Sequence, residues 1–339
     1  MPHEPLLPGR SDDGSALLSD VIDGFFLARR PRKDSPHTTM AYQRDLAAIR
    51  SLCAAHLQVA EGELRLSQLT VAVLRVAFAG YAETRAKTSI SRAWSTWNQF
   101  LAFCVSDGRI AGNPMAGVAK PRLPRRAPKP LRGEDTPEKL LASVATRKDG
   151  RDPWPERDLA VLATLLLTGV RSAELLGLAI ESLVGLPGER RLHVVGKGGK
   201  SRSVPVEAPL EVVLDAYAAT RRRRFPMGRL GPGAPLFIDR RGEPLQRGGL
   251  QYLVKTNLRW AGLNDRRAAG ALVHALRHTY ATRLAEDGAT ASEIMALLGH
   301  VSITTSQGYI DATAREQRAA AGANRTYRVV RDLFAKTAE

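Results

Sequence analysis

The residues best suited to chemistry lie between positions 274 and 309 of the chain. The sequence there contains His274-Ala-Leu-Arg277, then Leu-Gly-His300, and finally Tyr309. His274 and Arg277 are three residues apart, so they share one face if the segment is helical. An arginine binds the non-bridging oxygens of a phosphodiester, an imidazole donates hydrogen bonds or moves a proton, and a phenol can attack phosphorus. The set therefore predicts chemistry on a phosphodiester.

Each of these pieces has a simpler interpretation when it is taken alone. His274 and Arg277 could form a surface pair, and His300 could be a cation at the C-terminal end of a helix that Gly299 terminates. Tyr309 could be an ordinary half-buried aromatic residue. The combination is much less expected by chance, and two further motifs upstream strengthen it.

The first upstream motif supplies Arg171 and Glu174, directly after the apolar segment Pro155–Leu167, whose density of apolar residues predicts a buried helix. The second is a β-hairpin predicted over Leu192–Val206, with a turn whose glycines supply positive φ angles. Lys197 stands beside this turn, where its amine can reach a cleft. Exposed lysines in turns usually only add solubility, which is the alternative interpretation.

The charge of the chain points to a polyanionic partner. The 339 residues include 50 lysines and arginines against 34 acidic residues, a net charge of +16. A generally arginine-rich proteome is the alternative explanation. The length is sufficient for two domains, and the hydrophobic content of 44% is ordinary for a globular protein.

Cysteine usage and apolar runs predict a cytoplasmic protein. Cys53 and Cys104 both lie in apolar helical contexts, which indicates two buried thiols in a reducing compartment. The first 14 residues lack an apolar signal core, and the longest apolar run, Leu159–Leu167, is too short to span a bilayer. No ligand spacing for a metal and no cofactor motif is recognised, so neither a metal site nor a cofactor is expected.

The N-terminal half is predicted to be an all-helical bundle. After a disordered tail over 1–14, helices are expected at Ala16–Leu27, after Pro36, after Thr70 and at Ser89–Val105. Pro36 is interpreted as a break, with the helix that follows it capped by one of two threonines, Thr38 or Thr39. The last of these helices carries two polar side chains that we predict to contact DNA, Arg92 and Gln99.

A change of composition separates the two halves. Residues 15–119 are predicted to form the helical domain, 120–134 a basic, proline-rich linker, and 135–339 the second domain with a C-terminal helix. The linker is also predicted to lie along a phosphate backbone, because cations alternate with the prolines that stiffen it. Its predicted DNA-binding residues are Arg122, Arg125, Arg126 and Lys129.

Taken together, the motifs resemble those of the tyrosine recombinases of the phage-integrase and Xer type. The resemblance rests on Thr168–Leu178, Gly196–Lys200, His274–His278, Leu298–His300 and Tyr309, which occur in the order and approximate spacing of that family. It implies a mostly α fold with a small β-sheet: an all-helical core-binding domain followed by a mixed α+β catalytic domain. The N-terminal residues that fit the core-binding domain are Thr39, Tyr42, Asp45 and Leu46.

The resemblance also implies roles for the phosphate-binding residues. Arg171 and Arg277 would clamp the scissile phosphate. His274 and His300 would hydrogen-bond its oxygens and assist proton transfer. A phenol with a pKa near 10 is a poor nucleophile at neutral pH, so guanidinium groups that stabilise the developing charge agree with this assignment.

The remaining implied roles concern the bonds that form and break. Tyr309 would attack phosphorus and form a 3′-phosphotyrosine. Lys197 would protonate the 5′-oxygen leaving group, with Lys200 as a second choice, and Glu174 would orient neighbouring groups. Gly308 precedes the nucleophile where a helix former is more usual, so we hypothesise that the nucleophile segment is mobile until DNA or an assembly orders it.

The implied partners are double-stranded DNA at a specific site and a homo-tetramer, or a hetero-tetramer with a related recombinase; no membrane is involved. An Xer-like role in chromosome or plasmid resolution competes with that of a mobile-element integrase. A type IB topoisomerase, which uses similar residues, is one alternative. A non-catalytic DNA-binding protein on the same fold is another, although it would have no use for Tyr309 or Lys197.

Overall fold

The computed structural model describes residues 15–123, 128–133, 135–147, 153–228, 231, 233–263, 265–299 and 302–313. Residues 1–14, which were predicted to be a disordered tail, lie outside these ranges. Most of the predicted C-terminal helix also lies outside them. The chain forms two compact units, Met1–Arg125 and Arg126–Glu339. The division falls inside the predicted linker, and the predicted domain limits stay a prediction.

The N-terminal unit is a helical bundle in its described residues. Its helices are α1 (Leu18–Arg29), α2 (Pro36–Leu57), α3 (Val71–Thr84) and α4 (Lys87–Ser106). Aromatic residues of α1 and α4 pack edge to face in its core, with Phe25 and Trp97 both against Phe100. The four helices predicted for this half are therefore confirmed, with ends that differ by a few residues.

The predicted start of α2 is wrong. Ser35 is the capping residue, and its side-chain oxygen accepts a hydrogen bond from the Thr38 backbone N–H at 3.2 Å. Pro36 is the first residue of the helix, where its fixed φ suits the first turn and its missing N–H costs nothing. The proline that was interpreted as a break therefore begins the next helix, and neither Thr38 nor Thr39 caps it.

The second unit contains a small sheet surrounded by helices. The helices are α5 (Thr136–Ala145), α6 (Pro155–Thr168), α7 (Ser172–Leu176), α8 (Ala208–Arg224), α9 (Arg247–Trp260), α10 (Ala269–Glu286), α11 (Ala291–Leu298) and α12 (Ile303–Thr313). The strands are β1 (Leu183–Val184), β2 (Arg191–Val195) and β3 (Ser201–Pro205), joined in the order β1-β2-β3 with both pairs antiparallel. The mostly α fold with a small sheet is confirmed.

The predicted hairpin is formed by β2 and β3, with Leu192 opposite Val204 and Val195 opposite Ser201. Side chains alternate between the buried core and solvent along both strands, as expected for a sheet covered on one face. The two-residue strand β1 was not predicted, because so short a run carries no periodicity.

Two groups of buried apolar residues organise this unit around the candidate site. The larger one surrounds α6, whose Ala160, Val161, Leu162 and Leu165 are all fully buried, and it includes the inner face of the sheet. A smaller, separate cluster joins α10, α11 and α12, and Tyr309 belongs to it. The hairpin and α6 therefore rest on a large core, whereas α12 rests on a small one.

Both cysteines are buried free thiols, and burial raises the pKa of Cys53 and that of Cys104 to about 12. In the described ranges, no helix combines the length and the apolar character that crossing a bilayer requires.

Candidate active site

Arg171 and Glu174 are fixed to each other at the start of α7. The Arg171 backbone N–H donates to Glu174 Oε2 at 2.7 Å, and Arg171 Nη1 donates to Glu174 Oε1 at 2.7 Å. The carboxylate is buried, whereas the Arg171 side chain remains 38% exposed. The pair therefore holds a guanidinium that is partly exposed to solvent, where an anion can reach it.

Arg202, on β3, is a member of this group that the sequence analysis missed. Its Nη1 and Nη2 donate to the two oxygens of Glu174 at 3.0 and 2.8 Å, and its Nε donates to the Leu297 carbonyl at 2.9 Å. Burial disfavours the charged form of Glu174, but the hydrogen bonds from Arg202 and Arg171 outweigh it and lower the pKa of Glu174 to about 2. Arg202 thus connects the sheet, α7 and the end of α11.

Arg277 is buried, and its guanidinium is held by backbone carbonyls. Its Nη1 donates to the Gly169 carbonyl and its Nη2 to the Leu298 carbonyl, the latter at 2.8 Å. These carbonyls lie at the C-terminal ends of α6 and α11, where the helix dipoles are negative. Burial, followed by the nearby Arg171, lowers the pKa of Arg277 to about 10, so the group is still a cation at neutral pH.

Two glycines allow the helix ends to approach these arginines. Gly169 ends α6 with a φ of 61°, and Gly299 ends α11 with a φ of 62°, both in the left-handed region. The prediction that Gly299 stops its helix is confirmed. A Cβ at Gly299 would lie 3.1 Å from Arg202 Cδ, and the Gly299 carbonyl accepts from Arg171 Nη2 at 3.3 Å.

The two histidines of α10 lie on the face directed at α12. His274 is exposed and His278 is half-buried, with ring centroids 4.4 Å apart. His278 Nδ1 is 2.9 Å from the Tyr309 hydroxyl oxygen. His274 is only partly covered, and this partial burial, followed by Arg277 and Arg171, lowers its pKa. Burial, followed by His274 and Arg277, lowers the pKa of His278 to about 4. His278 was not assigned a role from the sequence, although it is four residues beyond His274 on one helix.

Tyr309 lies on α12 and is only 4% exposed. Burial raises the pKa of its phenol, while the nearby guanidinium groups of Arg277 and Arg171 oppose that rise. The phenol is therefore protonated in the free protein. The phenol also lies close enough to Arg277 and Arg171 for their charges to affect its pKa, so one phenol and two guanidinium groups share one site.

The structure thus brings together Arg171, Glu174, His274, Arg277 and Tyr309 of the predicted site. His300 lies outside the described residues. The turn that carries Lys197 packs against Glu174, because a Cβ at Gly196 would lie 3.2 Å from Glu174 Oε1. The Lys197 side chain itself is outside the described part of the structure.

The predicted DNA-binding residues of the N-terminal unit have partners within that unit. Arg92 binds both oxygens of the buried Asp45, at distances from 2.7 to 3.2 Å. Gln99 Oε1 accepts from the Tyr42 hydroxyl at 3.0 Å and from Arg29 Nη1 at 3.3 Å. These contacts give both side chains a structural role, and their contact with DNA stays a prediction.

Of the predicted DNA-binding residues in the linker, Arg122 and Lys129 are exposed. Arg125 and Arg126 lie outside the described residues. Among the residues that the structure describes, no group of three or more His, Cys, Asp or Glu side chains is arranged to hold a metal ion.

Comparison with known proteins identifies the family of the chain. The model of the phage integrase family matches residues 133–316, more than half of the chain. Tyrosine recombinase XerC of Mycobacterium sp. (strain KMS) is 32% identical over 302 residues, which cover 88% of this chain and 95% of that protein. Tyrosine recombinase XerC of Methylobacterium sp. (strain 4-46) is 33% identical over 308 residues, covering 90% and 91%.

Solved structures show the same fold at lower identity. The pre-cleavage complex of the XerH site-specific recombinase with difH substrate has a TM-score of 0.64 at 19% identity, and covers 89% of this chain and 83% of that one. The lambda integrase tetramer bound to a Holliday junction also has a TM-score of 0.64 at 19% identity, covering 89% and 80%. The chain therefore belongs to the phage integrase family and is a tyrosine recombinase, an enzyme of DNA strand cleavage and rejoining.

Proposed function

We propose that this recombinase cleaves a specific site in double-stranded DNA through a covalent 3′-phosphotyrosine at Tyr309. The observation that carries the proposal is the position of the Tyr309 hydroxyl on α12, near two guanidinium groups that come from other parts of the fold. A phosphodiester held by Arg171 and Arg277 would present its phosphorus to this hydroxyl. Binding and attack would then take place in one small space.

The two arginines are suited to different steps, the binding of the phosphate and the stabilisation of the charge that develops on it. Arg171 is partly exposed and can meet the phosphate as DNA arrives, whereas Arg277 is buried and fixed by two carbonyls. Charge that develops on the phosphorane oxygens would face two preorganised cations, and so little reorganisation is needed during the reaction. Glu174 and Arg202 would hold Arg171 in place.

The other predicted residues complete the proposed reaction. His274, exposed at the same site, would hydrogen-bond a phosphate oxygen together with His300. Lys197 would protonate the 5′-oxygen leaving group from the turn that packs against Glu174. The covalent link conserves the energy of the phosphodiester, so that strands rejoin without ATP.

The proposed partners are DNA and further recombinase subunits. The lambda integrase structure is a tetramer on a Holliday junction, and we propose that this chain also acts as a tetramer, alone or with a related recombinase. The net charge of +16 favours binding to DNA phosphates with strong salt dependence. Arg92, Gln99 and the linker cations are the proposed contacts outside the active site. We propose the cytoplasm as the site of action, since both thiols are free and buried.

The biological role that we favour is Xer-like resolution of chromosomes or plasmids. It is supported by relatives named XerC that align with 88% to 90% of this chain. Integration or excision of a mobile element is the second candidate. A recombination assay with plasmids that carry one or two copies of the target site would separate resolution from integration.

Covalent trapping tests the proposed chemistry. Nicked duplexes drawn from the protein's own genome are incubated with the enzyme, and adducts that survive denaturation are collected and sequenced. We expect adducts at a defined site that disappear in Tyr309→Phe, because that variant lacks the attacking oxygen. Tyr252→Phe is the matched control, since Tyr252 is 70% exposed on α9, and it should form adducts at the rate of the unaltered protein.

Two other outcomes would contradict the proposal. Tight DNA binding without any adduct would indicate a non-catalytic DNA-binding protein on this fold. Adducts on every duplex, with relaxation of supercoiled DNA by monomers, would indicate a type IB topoisomerase activity instead.

A further inference from the structure

We propose that His278 is a further catalytic residue, whose Nδ1 accepts the phenol proton of Tyr309 while the phenol oxygen attacks phosphorus. The inference rests on the proposed function of Tyr309 as the nucleophile. It adds a proton acceptor to a site in which the arginines stabilise charge but cannot remove a proton.

The geometry places the acceptor on the reacting atom. His278 Nδ1 and the Tyr309 hydroxyl oxygen are 2.9 Å apart, within the distance at which a proton can be transferred. The two rings are tilted by 43° with centroids 5.7 Å apart, so the contact is made at the ring edges and not by stacking. The phenol can donate only to an unprotonated nitrogen, and therefore the N–H of the neutral imidazole is assigned to Nε2.

The position of His278 on α10 ties proton removal to phosphate binding. It directly follows Arg277, and both are presented by the same helical turn. Arg277 is fixed at its far end by the carbonyls of Gly169 and Leu298, which fixes this turn of α10 relative to α6 and α11. A phosphate held by Arg277 and a phenol held by His278 would thus be aligned by consecutive residues.

Burial and the charges around His278 keep it unprotonated in the free protein. Burial, and then His274 and Arg277 on its own helix and Arg267 on the preceding loop, lower the pKa of His278 to about 4. Tyr309 faces it from α12. A base this weak cannot ionise the phenol alone. A phosphodiester at Arg171 and Arg277 brings negative charge that favours the imidazolium form, so that the acceptor becomes stronger when DNA is bound.

The proposed step is balanced in protons and electrons. The O–H bond of Tyr309 breaks, its proton moves to His278 Nδ1, and a lone pair of the phenol oxygen forms the new bond to phosphorus. The bond from phosphorus to the 5′ oxygen breaks with its electron pair, and that oxygen takes a proton from the general acid, proposed to be Lys197. In rejoining, the imidazolium returns its proton to the departing phenolate.

The main experiment measures the rate of adduct formation on the trapped duplex for His278→Asn and His278→Ala. Asparagine keeps an acceptor oxygen near the position of Nδ1 but cannot take up a proton. We expect both variants to be about 10²- to 10⁴-fold slower at pH 7, the usual effect of losing a general base. His193→Asn is the matched control, because His193 is exposed on β2, and its rate should not change.

The pH profile separates proton transfer from packing. The unaltered enzyme should react at a rate that is nearly constant from pH 6 to 8, whereas the rate of His278→Asn should rise about tenfold per pH unit, because the tyrosinate must form first. Imidazole in the buffer should partly restore His278→Ala. A His278→Asn enzyme with the rate and the profile of the unaltered protein would overturn the proposal.

A substrate with sulfur at the 5′-bridging position distinguishes a base from an acid. A thiolate leaves without protonation, so this substrate should restore a Lys197→Ala enzyme but leave His278→Asn slow. Rescue of His278→Asn by sulfur would show that His278 acts on the leaving group and would overturn the assignment.

A measurement on the free protein keeps this inference separate from the proposed function. In protein labelled with ¹³C at tyrosine Cζ, the Tyr309 resonance should move in His278→Ala and stay in place in His193→Ala. An unmoved resonance would overturn the hydrogen bond and the inference with it. If the unaltered enzyme forms no adduct on any duplex, the proposed function fails, and this resonance still decides whether His278 holds the phenol.

Discussion

The two halves of the active site are held in different ways. The proposed anion clamp, Arg171 and Arg277, is held by buried groups: Glu174 receives hydrogen bonds from Arg171 and Arg202, and Arg277 is fixed by two helix-end carbonyls. The proposed nucleophile, Tyr309, lies on α12, whose buried contacts belong to a small cluster separate from the main core. The clamp is therefore expected to be rigid, and the nucleophile helix to be the part that can adjust.

This difference suits the proposed reaction. A clamp that is fixed before DNA arrives stabilises charge without reorganisation, whereas a nucleophile must change its bonding partner during the reaction. A lightly anchored helix can move with the Tyr309 oxygen as the bond to phosphorus forms. Variants in the two regions should consequently have different effects. Substitutions in the clamp should lower the folding stability, whereas substitutions in α12 should change the local motion of that helix.

The largest effect is expected from breaking the clamp at its carboxylate. Glu174→Ala leaves Arg171 and Arg202 without their shared partner, and we expect it to lower the free energy of unfolding by about 3–5 kcal/mol. Chemical denaturation of the unaltered protein and of Glu174→Ala measures the difference in the free energy of unfolding. Glu189→Ala, at an exposed glutamate, is the control and should change it by less than about 0.5 kcal/mol. A loss from Glu174→Ala as small as the control would show that the clamp is not held by this carboxylate.

The next effect tests how closely the helix ends are packed. Gly169→Ala places a Cβ against the Tyr280 ring and 2.7 Å from Leu298 Cδ2, at a positive φ. Overpacking and backbone strain together should cost about 2–4 kcal/mol. Gly188→Ala shares the positive φ, at 89°, but has open space, so the difference between the two variants isolates the packing cost. Equal losses in thermal unfolding would contradict a tight helix end.

The pH dependence of folding stability tests the histidine that contacts Tyr309. The pKa of His278 is about 4 in the folded protein and about 6.5 in the unfolded chain, so the unfolded state takes up the proton first. The contribution of His278 to the free energy of unfolding is fully present above about pH 6.5. It should fall by up to roughly 3 kcal/mol as the pH drops to about 4. His274, whose pKa is also lowered, adds to this loss.

Denaturation of His278→Asn at each pH is the measurement, and the fall between pH 6.5 and 4.5 should be much shallower in that variant. Glu174 contributes at lower pH, between about 4.5 and its pKa of about 2, because it is the deprotonated form that the arginines stabilise. An unchanged slope in His278→Asn would mean that other groups are responsible.

The smallest effect is expected on α12 itself. Gly308 lies in the middle of this helix, and a Cβ there would meet open space. Gly308→Ala should stabilise the helix by about 1 kcal/mol, slow amide exchange at Tyr309 and change the cleavage rate several-fold. Gly24→Ala, an equally open glycine within α1, should leave both unchanged. Identical exchange and kinetics in Gly308→Ala would contradict a mobile nucleophile segment.

Local patterns in the sequence predicted much of what local forces decide. The spacing of His274 and Arg277 placed both on one helix, the glycines of the hairpin turn marked β2 and β3, and Gly299 marked the end of α11. These features depend on neighbouring residues, which the sequence shows directly. Pro36 was misread because a proline both ends one helix and suits the first turn of the next.

The missed residues depend on contacts between distant parts of the chain. Arg202 follows Glu174 by 28 positions and binds a carbonyl 95 positions further on, and no local pattern encodes such a meeting. Its only signal was a long cation between two serines on a short strand. His278 could have been found, since it lies four residues from His274 on the same helix, but its partner Tyr309 is 31 positions away.

The contacts of Arg277 make the position of its guanidinium depend on the folding of two helices. Its guanidinium is held by the Gly169 and Leu298 carbonyls, which lie side by side only when both α6 and α11 have formed to their last turn. A chain that is still being synthesised, or one that has partly unfolded, has no such pair of helix ends. We therefore expect DNA cleavage to depend on the complete fold of the second unit, because Arg277 is positioned only when both helix ends are in place.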